Sequence, residues 1–351
     1  MIEARIRKVV AAGFALDVEF QAGPGITVLF GPKGAGKTLI LEAIAGFARP
    51  DEGRILLDDR IVFDAAARVN LPARARRCGY LVAGCALFPH MTVRQNLFFA
   101  VKHRPRLERH RRVNETLERF RLTDCAGRRP HELDPGGHQR ALVARTLIGQ
   151  PRVLLADEPG AGLEAPLRAE LHALLRQARA DHDIPVLVAS RDLRECLDLA
   201  DTALVLREGR ILQSGAPRTL AERPASLEAA RLLGVFNLLP VEIAELDPQR
   251  NSSRVRWGEH ALAGPYFPGK FRGDRVWLCV RPDQLHLLPR QGKPGSNQVP
   301  LELLRTVELP HSVRLEFASE VAVELSRGEF ERQKHAREWL VEFPPQALRV
   351  L

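Results

Sequence analysis

One stretch limits what this chain can fold into more than any other. It runs from Val28 to Ala45, VLFGPKGAGKTLILEAIA. An apolar run, Ile26 to Phe30, enters a glycine-rich turn, and an apolar-periodic segment suited to a helix leaves it. Gly31, Gly36, Lys37 and Thr38 fill the pattern G-x-x-x-x-G-K-[ST], with a further glycine at Gly34. Glycines let backbone N–H groups close around phosphate oxygens, and the N-terminus of the following helix adds its dipole. In such a loop Lys37 reaches the β- and γ-phosphates and the Thr38 hydroxyl ligates Mg²⁺. Strand, loop and helix stand in the required order, which favours a nucleoside triphosphate site over an empty glycine-rich turn.

A chain of 351 residues is expected to form two or three domains, and 45% hydrophobic residues suffice for a sizeable core. The formal net charge of +9 favours anionic surroundings such as nucleotides, phospholipid headgroups or nucleic acid, without choosing among them. Five cysteines without a C-x-x-C pair read as reduced thiols rather than as metal ligands or disulfides. The opening residues MIEARIRKVV lack the apolar core of a signal peptide, and no apolar run has the length of a bilayer span. Any membrane spans this protein works with are therefore expected on another chain.

Along the chain, residues 2–30 alternate in strand-like runs, among them Phe14 to Phe20 and Ile26 to Phe30. Phe14 is a candidate platform for a nucleotide base, or equally a core phenylalanine. Arg54 to Phe63 reads as a strand pair turning at Asp58-Asp59. Val101 to Arg129 is basic and helix-forming, but it lacks interleaved aromatics and carries Glu108, Glu115 and Glu118; a solvated helical face fits better than a nucleic-acid patch. His90, after Phe88-Pro89, reads as a turn residue rather than a ligand. Asp134 and Pro135 are an N-cap and first helical residue opening a helix. Pro151 to Ala156 is a buried strand ending in Asp157-Glu158, carboxylates that suit a Mg²⁺ partner (Asp157) and a base for water (Glu158), or that simply end the strand. A helix (Pro166 to Arg179), a strand (Pro185 to Ala189), a helix (Leu193 to Leu199) and a hairpin turning at Glu208-Gly209 complete an α/β layer.

Near residue 235 helical periodicity gives way to short alternating strands. Val276 to Gln284 matches Glu338 to Gln346 at an offset of 62, and Pro240-Val241-Glu242-Ile243 parallels Pro300-Leu301-Glu302-Leu303. Two copies of a small β unit are expected, divided near 289–298, each covering the other.

With these residues assembled, positions 1–235 resemble the nucleotide-binding domain of ABC transporters, and within them the ATP-binding subunits of molybdate importers and their sulfate, iron and spermidine relatives. Residues 79–97, including LFPHMTVRQNL, resemble the family's Q-loop segment, and Pro151 to Pro159 its Walker B strand. The resemblance implies an α/β P-loop fold with a helical subdomain at about 84–150. It implies a small all-β, OB-like domain of the TOBE/Mop type over 236–351. ATP would contact Phe14, Gly31, Pro32, Lys33, Gly34, Ala35, Gly36, Lys37, Thr38 and Leu39, with Mg²⁺ at Thr38 and Asp157 and catalysis by Glu158, Lys37 and Arg191. Asp134, Gly136 and Gly137 would reach across to the nucleotide of a second ATPase subunit, identical or not. The resemblance implies a peripheral place for this chain at the cytoplasmic face of the inner (cell) membrane, with transmembrane permease subunits and, indirectly, a periplasmic solute-binding protein as partners; no nucleic acid is expected.

Four family positions differ here. Ala83 stands at the Q-loop glutamine, Asp134-Pro135 at the start of the signature LSGGQ, Arg191 at the H-loop histidine and Glu164 at the D-loop aspartate. Alanine can neither hold Mg²⁺ nor touch a membrane partner. Asp134 puts a carboxylate where a phosphate sits, and Pro135 deletes an N–H donor, while together they remain a sound helix start. An importer ATPase, a regulatory ABC protein that binds ATP with little turnover, and the degenerate half of an asymmetric dimer are the readings that follow. One P-loop and no sustained heptads disfavour a soluble ABC protein of translation or repair.

Overall fold

The computed structural model describes residues 1–10, 13–82, 87–289, 294–333 and 339–351. The Q-loop position Ala83 lies outside them. Contacts divide the chain into two units, Met1–Leu220 and Ala221–Leu351. This division falls before the composition change near 235, because the helix Leu227–Leu233 joins the second unit: the Arg231 guanidinium lies over the Trp277 ring at 4.9 Å.

The first unit is built on a six-stranded sheet in the order 210–215, 202–207, 26–30, 186–190, 153–157, 78–82. All pairings are parallel except the hairpin at its edge. Strands Ile26–Phe30, Val153–Asp157 and Val186–Ser190 are buried at every residue, as continuous apolar runs covered on both faces must be. Being parallel neighbours, they deliver the glycine-rich loop, Asp157-Glu158 and Ser190-Arg191 to one edge, the carboxyl end where ligands bind in open α/β sheets.

A five-stranded antiparallel sheet runs in the order 15–22, 2–9, 52–57, 60–64, 69–70. Its inward residues Ile2, Ile6, Leu16, Ile55 and Phe63 share one core with Ile40 and Ile44 of the helix Lys37–Ala45 and with Leu155 and Leu187 of the parallel sheet. The glycine-rich loop is thus clamped between two sheets. At the far end of its helix, wholly buried Arg76 donates to the carbonyls of Ala43 (2.7 Å) and Ile44 (3.0 Å), satisfying acceptors that a helix end leaves open.

Helices Val93–Ala100, Arg106–Arg119 and Pro135–Leu147 form the helical part. Thr92 and Gln95 start the first with a reciprocal capping box. In the basic segment only Arg106–Arg119 is helical; it buries Val113 and Leu117, and its arginines pair along the surface with Glu108 and Glu115. His90 is exposed in a turn.

The second unit pairs its repeats reciprocally. In the first copy, Asn237–Asp247, Ser252–Trp257 and His260–Gly264 form a meander joined by Arg275–Val280; in the second, Leu303–Glu308, Ser312–Phe317 and Val321–Ser326 do so. The closing strands change places: His286–Pro289 of the first copy pairs with Trp339–Glu342 of the second, and Arg349–Val350 of the second pairs with Arg275–Val280 of the first. Asn237 and Asn297 repeat the exchange with side chains. Asn237 bonds both backbone groups of Ala322, and Asn297 both of Ala263, at 2.7–2.8 Å. One apolar core containing Trp257, Phe267, Phe317, Trp339 and Phe343 serves both copies. The unit is not purely β: the helix Arg327–Gln333 follows the third strand of the second copy. Ser326 and Glu329 cap it reciprocally, a Ser-x-x-Glu signal that is visible in the sequence.

Candidate functional site

At the carboxyl end of the parallel strands lies a cavity of about 500 Å³ lined by Phe14, Lys33, Gly34, Gly36, Lys37, Thr38, Leu39, Val82, Asp157, Glu158 and Arg191. It brings together residues from five separate parts of the chain. The loop takes its shape from two glycines. Gly31 passes so close to strand 202–207 that a Cβ would stand 2.3 Å from the Leu206 carbonyl oxygen. Gly36 is left-handed, with φ +99°, and a Cβ on it would crowd Leu16 and Phe14. The helix Lys37–Ala45 therefore begins with no capping side chain and no acidic residue in its first turn. Its N–H groups stay open toward the cavity, as an anion requires.

Lys37 is buried, and its ammonium donates to the carbonyls of Gly31 (2.8 Å) and Pro32 (2.9 Å). Burial lowers its pKa from the ordinary lysine value, while Glu158 opposes that shift. The Thr38 hydroxyl donates to Asp157 Oδ1 at 3.2 Å. Burial raises the Asp157 pKa, and the Thr38 hydrogen bond partly offsets it. A hydroxyl and a carboxylate meeting at the mouth of a phosphate loop form the all-oxygen donor pair that Mg²⁺ prefers, so these residues fit that ion.

Glu158, in a left-handed conformation at φ +47°, receives a hydrogen bond from Arg191 Nη2 at 2.5 Å. Both line the cavity together with Lys37. Phe14 sits at its edge beside Gly36, half-buried, consistent with either role open to it.

Asp134, Gly136 and Gly137 do not line this cavity. Asp134 caps its own helix, accepting from Gly137 N at 3.2 Å, with Pro135 at the first helical position. Gly136 is packed near Glu170 and Arg140, which pair at 2.6 Å. Glu164 is likewise an N-cap position, of helix Ala165–His182. Sequence reasoning missed Val82 as a lining residue; its only signal was its place at the end of a strand.

The ABC transporter family model matches residues 15–161. The molybdenum import ATP-binding protein ModC of Rhodospirillum rubrum is 40% identical over 209 residues, covering 60% of this chain and 56% of that protein. The spermidine/putrescine import ATP-binding protein PotA of Vibrio cholerae is 34% identical, covering 78% and 71%. The Fe(3+) ions import ATP-binding protein FbpC of Pseudomonas fluorescens is 36% identical, covering 76% and 72%. Among solved structures, cbiO1 of Clostridium perfringens, part of the ABC transporter complex cbiONQ, superposes with a TM-score of 0.55 at 24% identity over 66% of this chain and 92% of its own, a likeness of fold. The chain belongs to the ABC transporter family of ATP-binding proteins. It spans little more than half the length of the molybdenum relatives it matches, 56% and 58%.

Proposed function

We propose that this chain is the ATP-binding subunit of an ABC importer. It would couple MgATP binding and hydrolysis to transport through separate permease subunits at the cytoplasmic face of the membrane. The observation that carries this reading is the convergence of Lys37, Thr38, Asp157 and Glu158 on one cavity under an uncapped helix start. When ATP enters, Lys37 exchanges the Gly31 and Pro32 carbonyls for phosphate oxygens. Thr38 and Asp157 are the residues that would hold Mg²⁺, which would supply charge neutralisation at the phosphates. Glu158 orients and deprotonates the attacking water once Arg191 has left it, and Arg191 turns to the γ-phosphate. By the sequence division the ATPase domain is proposed over 1–235 and a regulatory β domain of the TOBE/Mop type over 236–351, although the helix Leu227–Leu233 packs with the second unit.

Among the described residues no helix is long and apolar enough to cross a membrane. A groove of about 410 Å³ lined by Cys78, Tyr80, Phe99, Lys102, His103 and Arg145 suits a short permease helix with an apolar face and an acidic residue. Molybdate or a related oxyanion is the favoured cargo, supported by the molybdenum relatives; the spermidine and iron relatives are of comparable identity. The test is ATP-driven uptake in vesicles holding this chain together with the permease and solute-binding protein of an importer of the molybdate class. Molybdate, sulfate, ferric iron and spermidine would be offered in turn. Uptake of iron or spermidine alone keeps the importer and removes the oxyanion. No uptake by a chain that still binds ATP favours the second reading, an ATP-binding regulatory protein or the degenerate half of an asymmetric dimer. The self-capped Asp134 helix start and the Arg191–Glu158 pair support that reading.

A further inference from the structure

Next to the Arg191–Glu158 pair lies a buried polar cluster with no part in the chemistry above. Glu195 and His172 are each 5% exposed and Ser190 1%. Ser190 Oγ donates to Glu195 Oε2 at 2.5 Å, and Glu195 Oε1 stands 3.1 Å from His172 Nε2. The carboxylate thus ties the end of strand Val186–Ser190 to two helices, Leu193–Leu199 and Ala165–His182. It also supports the turn after Glu158, since a Cβ on Gly160 would come within 2.6 Å of Glu195 Oε1. Ser190 is a junction in its own right: its carbonyl accepts from Gly31 N at 3.2 Å, and its hydroxyl accepts from Asp192 N at 3.1 Å. A second cavity, of about 430 Å³, is lined by Glu158, Gly160, Ser190, Arg191 and Glu195 among others, so the Arg191–Glu158 pair walls both cavities. Burying a carboxylate is costly, and an apolar side chain of similar shape would often serve the fold as well.

We propose that Glu195 is a positioning residue for Arg191. By holding Ser190 it fixes the point from which the guanidinium leaves the backbone. From there Arg191 can reach Glu158 when no nucleotide is bound and the γ-phosphate when ATP is. Glu195 touches neither nucleotide nor Arg191; it acts through the one residue between. A misplacement of about 1 Å at such a root is enough to lose a directed charge-assisted contact. This inference rests on the ATP-site reading, so the experiment separates the two.

Titration calorimetry of the full chain with Mg²⁺ and either ADP or a non-hydrolysable ATP analogue measures the preference for a γ-phosphate. Arg191→Ala and Glu195→Ala should each lower that preference on the order of tenfold with ADP affinity unchanged. The double variant should lose no more than either alone. Glu195→Gln, whose amide oxygen still accepts the Ser190 hydroxyl, should restore most of the preference. Ser190→Ala should shift it in the same direction by less. A Glu195→Ala protein that melts earlier yet keeps the wild-type preference overturns the proposal, because the cluster then only supports the fold. Additive losses, or an unchanged preference in Arg191→Ala, overturn it as well. Should Glu195→Ala fail to fold, Ser190→Ala decides, and an unchanged preference there has the same force. Failure of the ATP-site reading looks different: wild type binds neither nucleotide, or Lys37→Ala binds both as wild type does, and the inference falls with it.

Discussion

Helices Lys37–Ala45 and Pro135–Leu147 both start on turns that carry glycine, yet their N-termini are filled differently. The first is capped by Gly36 with no side-chain bond, so its N–H groups stay open for an incoming anion. In the second, the Asp134 carboxylate already accepts from Gly137 N, and Pro135 has removed another donor. One start is poorly capped and suited to a ligand; the other is well capped and closed to one. A helix N-terminus is an anion site only where the chain does not supply its own anion.

The largest effect should come from converting the closed turn, together with the altered positions 83 and 191, to the residues of the family pattern. Ala83→Gln, Asp134→Ser, Pro135→Gly and Arg191→His together should raise ATP turnover by orders of magnitude. Each donor restored at a developing charge is worth on the order of 10²–10³ in rate, although the effects do not simply add. Steady-state phosphate release reads this out. Wild type already turning over at about 1 s⁻¹ or faster, an ordinary enzyme rate, would erase the contrast between the two turns.

On the open side, Lys37→Ala should weaken ATP binding by roughly a hundredfold or more, the value of two charge-assisted contacts, whereas Asp134→Ala should leave the affinity of an isolated subunit almost unchanged. Calorimetry on the two variants side by side would show whether the difference between the turns is one of ligand chemistry.

A functional group held at a cost to the fold gives a third test. The folded-state pKa of Asp157 is raised above 3.8, with burial as the main cause. The fold therefore favours the protonated carboxyl and loses stability as pH rises from the unfolded-state value through the raised one. At neutral pH the ionised group is a liability when no cation is bound. Asp157→Asn should raise the melting temperature of the nucleotide-free protein at pH 7 by about 2–4 °C per kcal/mol relieved, and the gain should vanish below the unfolded-state pKa. The same change should abolish the dependence of ATP affinity on Mg²⁺. A lowered melting temperature at pH 7 would mean that the Thr38 hydrogen bond outweighs burial.

The smallest effect belongs to the closed turn alone. Asp134→Ala should cost about 1 kcal/mol of stability, the usual worth of an N-cap, and Asp134→Ser should recover most of it. If the alanine variant melts like wild type, Asp134 is not held there by capping.

Local chemistry made much of this molecule legible in advance. The loop Gly31–Thr38, the buried strands 26–30, 153–157 and 186–190, and the capped start at Asp134 are each written in a few adjacent residues, whose φ preferences, periodicity and side-chain reach act over one turn or one strand. The capping pair Ser326 and Glu329 was equally local and announced a helix inside the β unit, and the texture of short alternating strands around it concealed the signal.

The sequence by itself determined which groups are present at the site and which family chemistry they suit. Only the tertiary structure decided that Arg191 spends itself on Glu158, that Glu195 is buried under Ser190 and His172, and that the two repeats trade their closing strands. These arrangements join residues far apart in the chain, and nothing in the composition of either partner points to the other. Parallel pairing of strands 153–157 and 186–190 sets Glu158 beside Arg191, because the register brings Asp157 opposite Ala189. The exchange in the second unit has the same cause. Two similar sheets share one core, and a closing strand buries its apolar face against whichever copy the packing of that core places next to it.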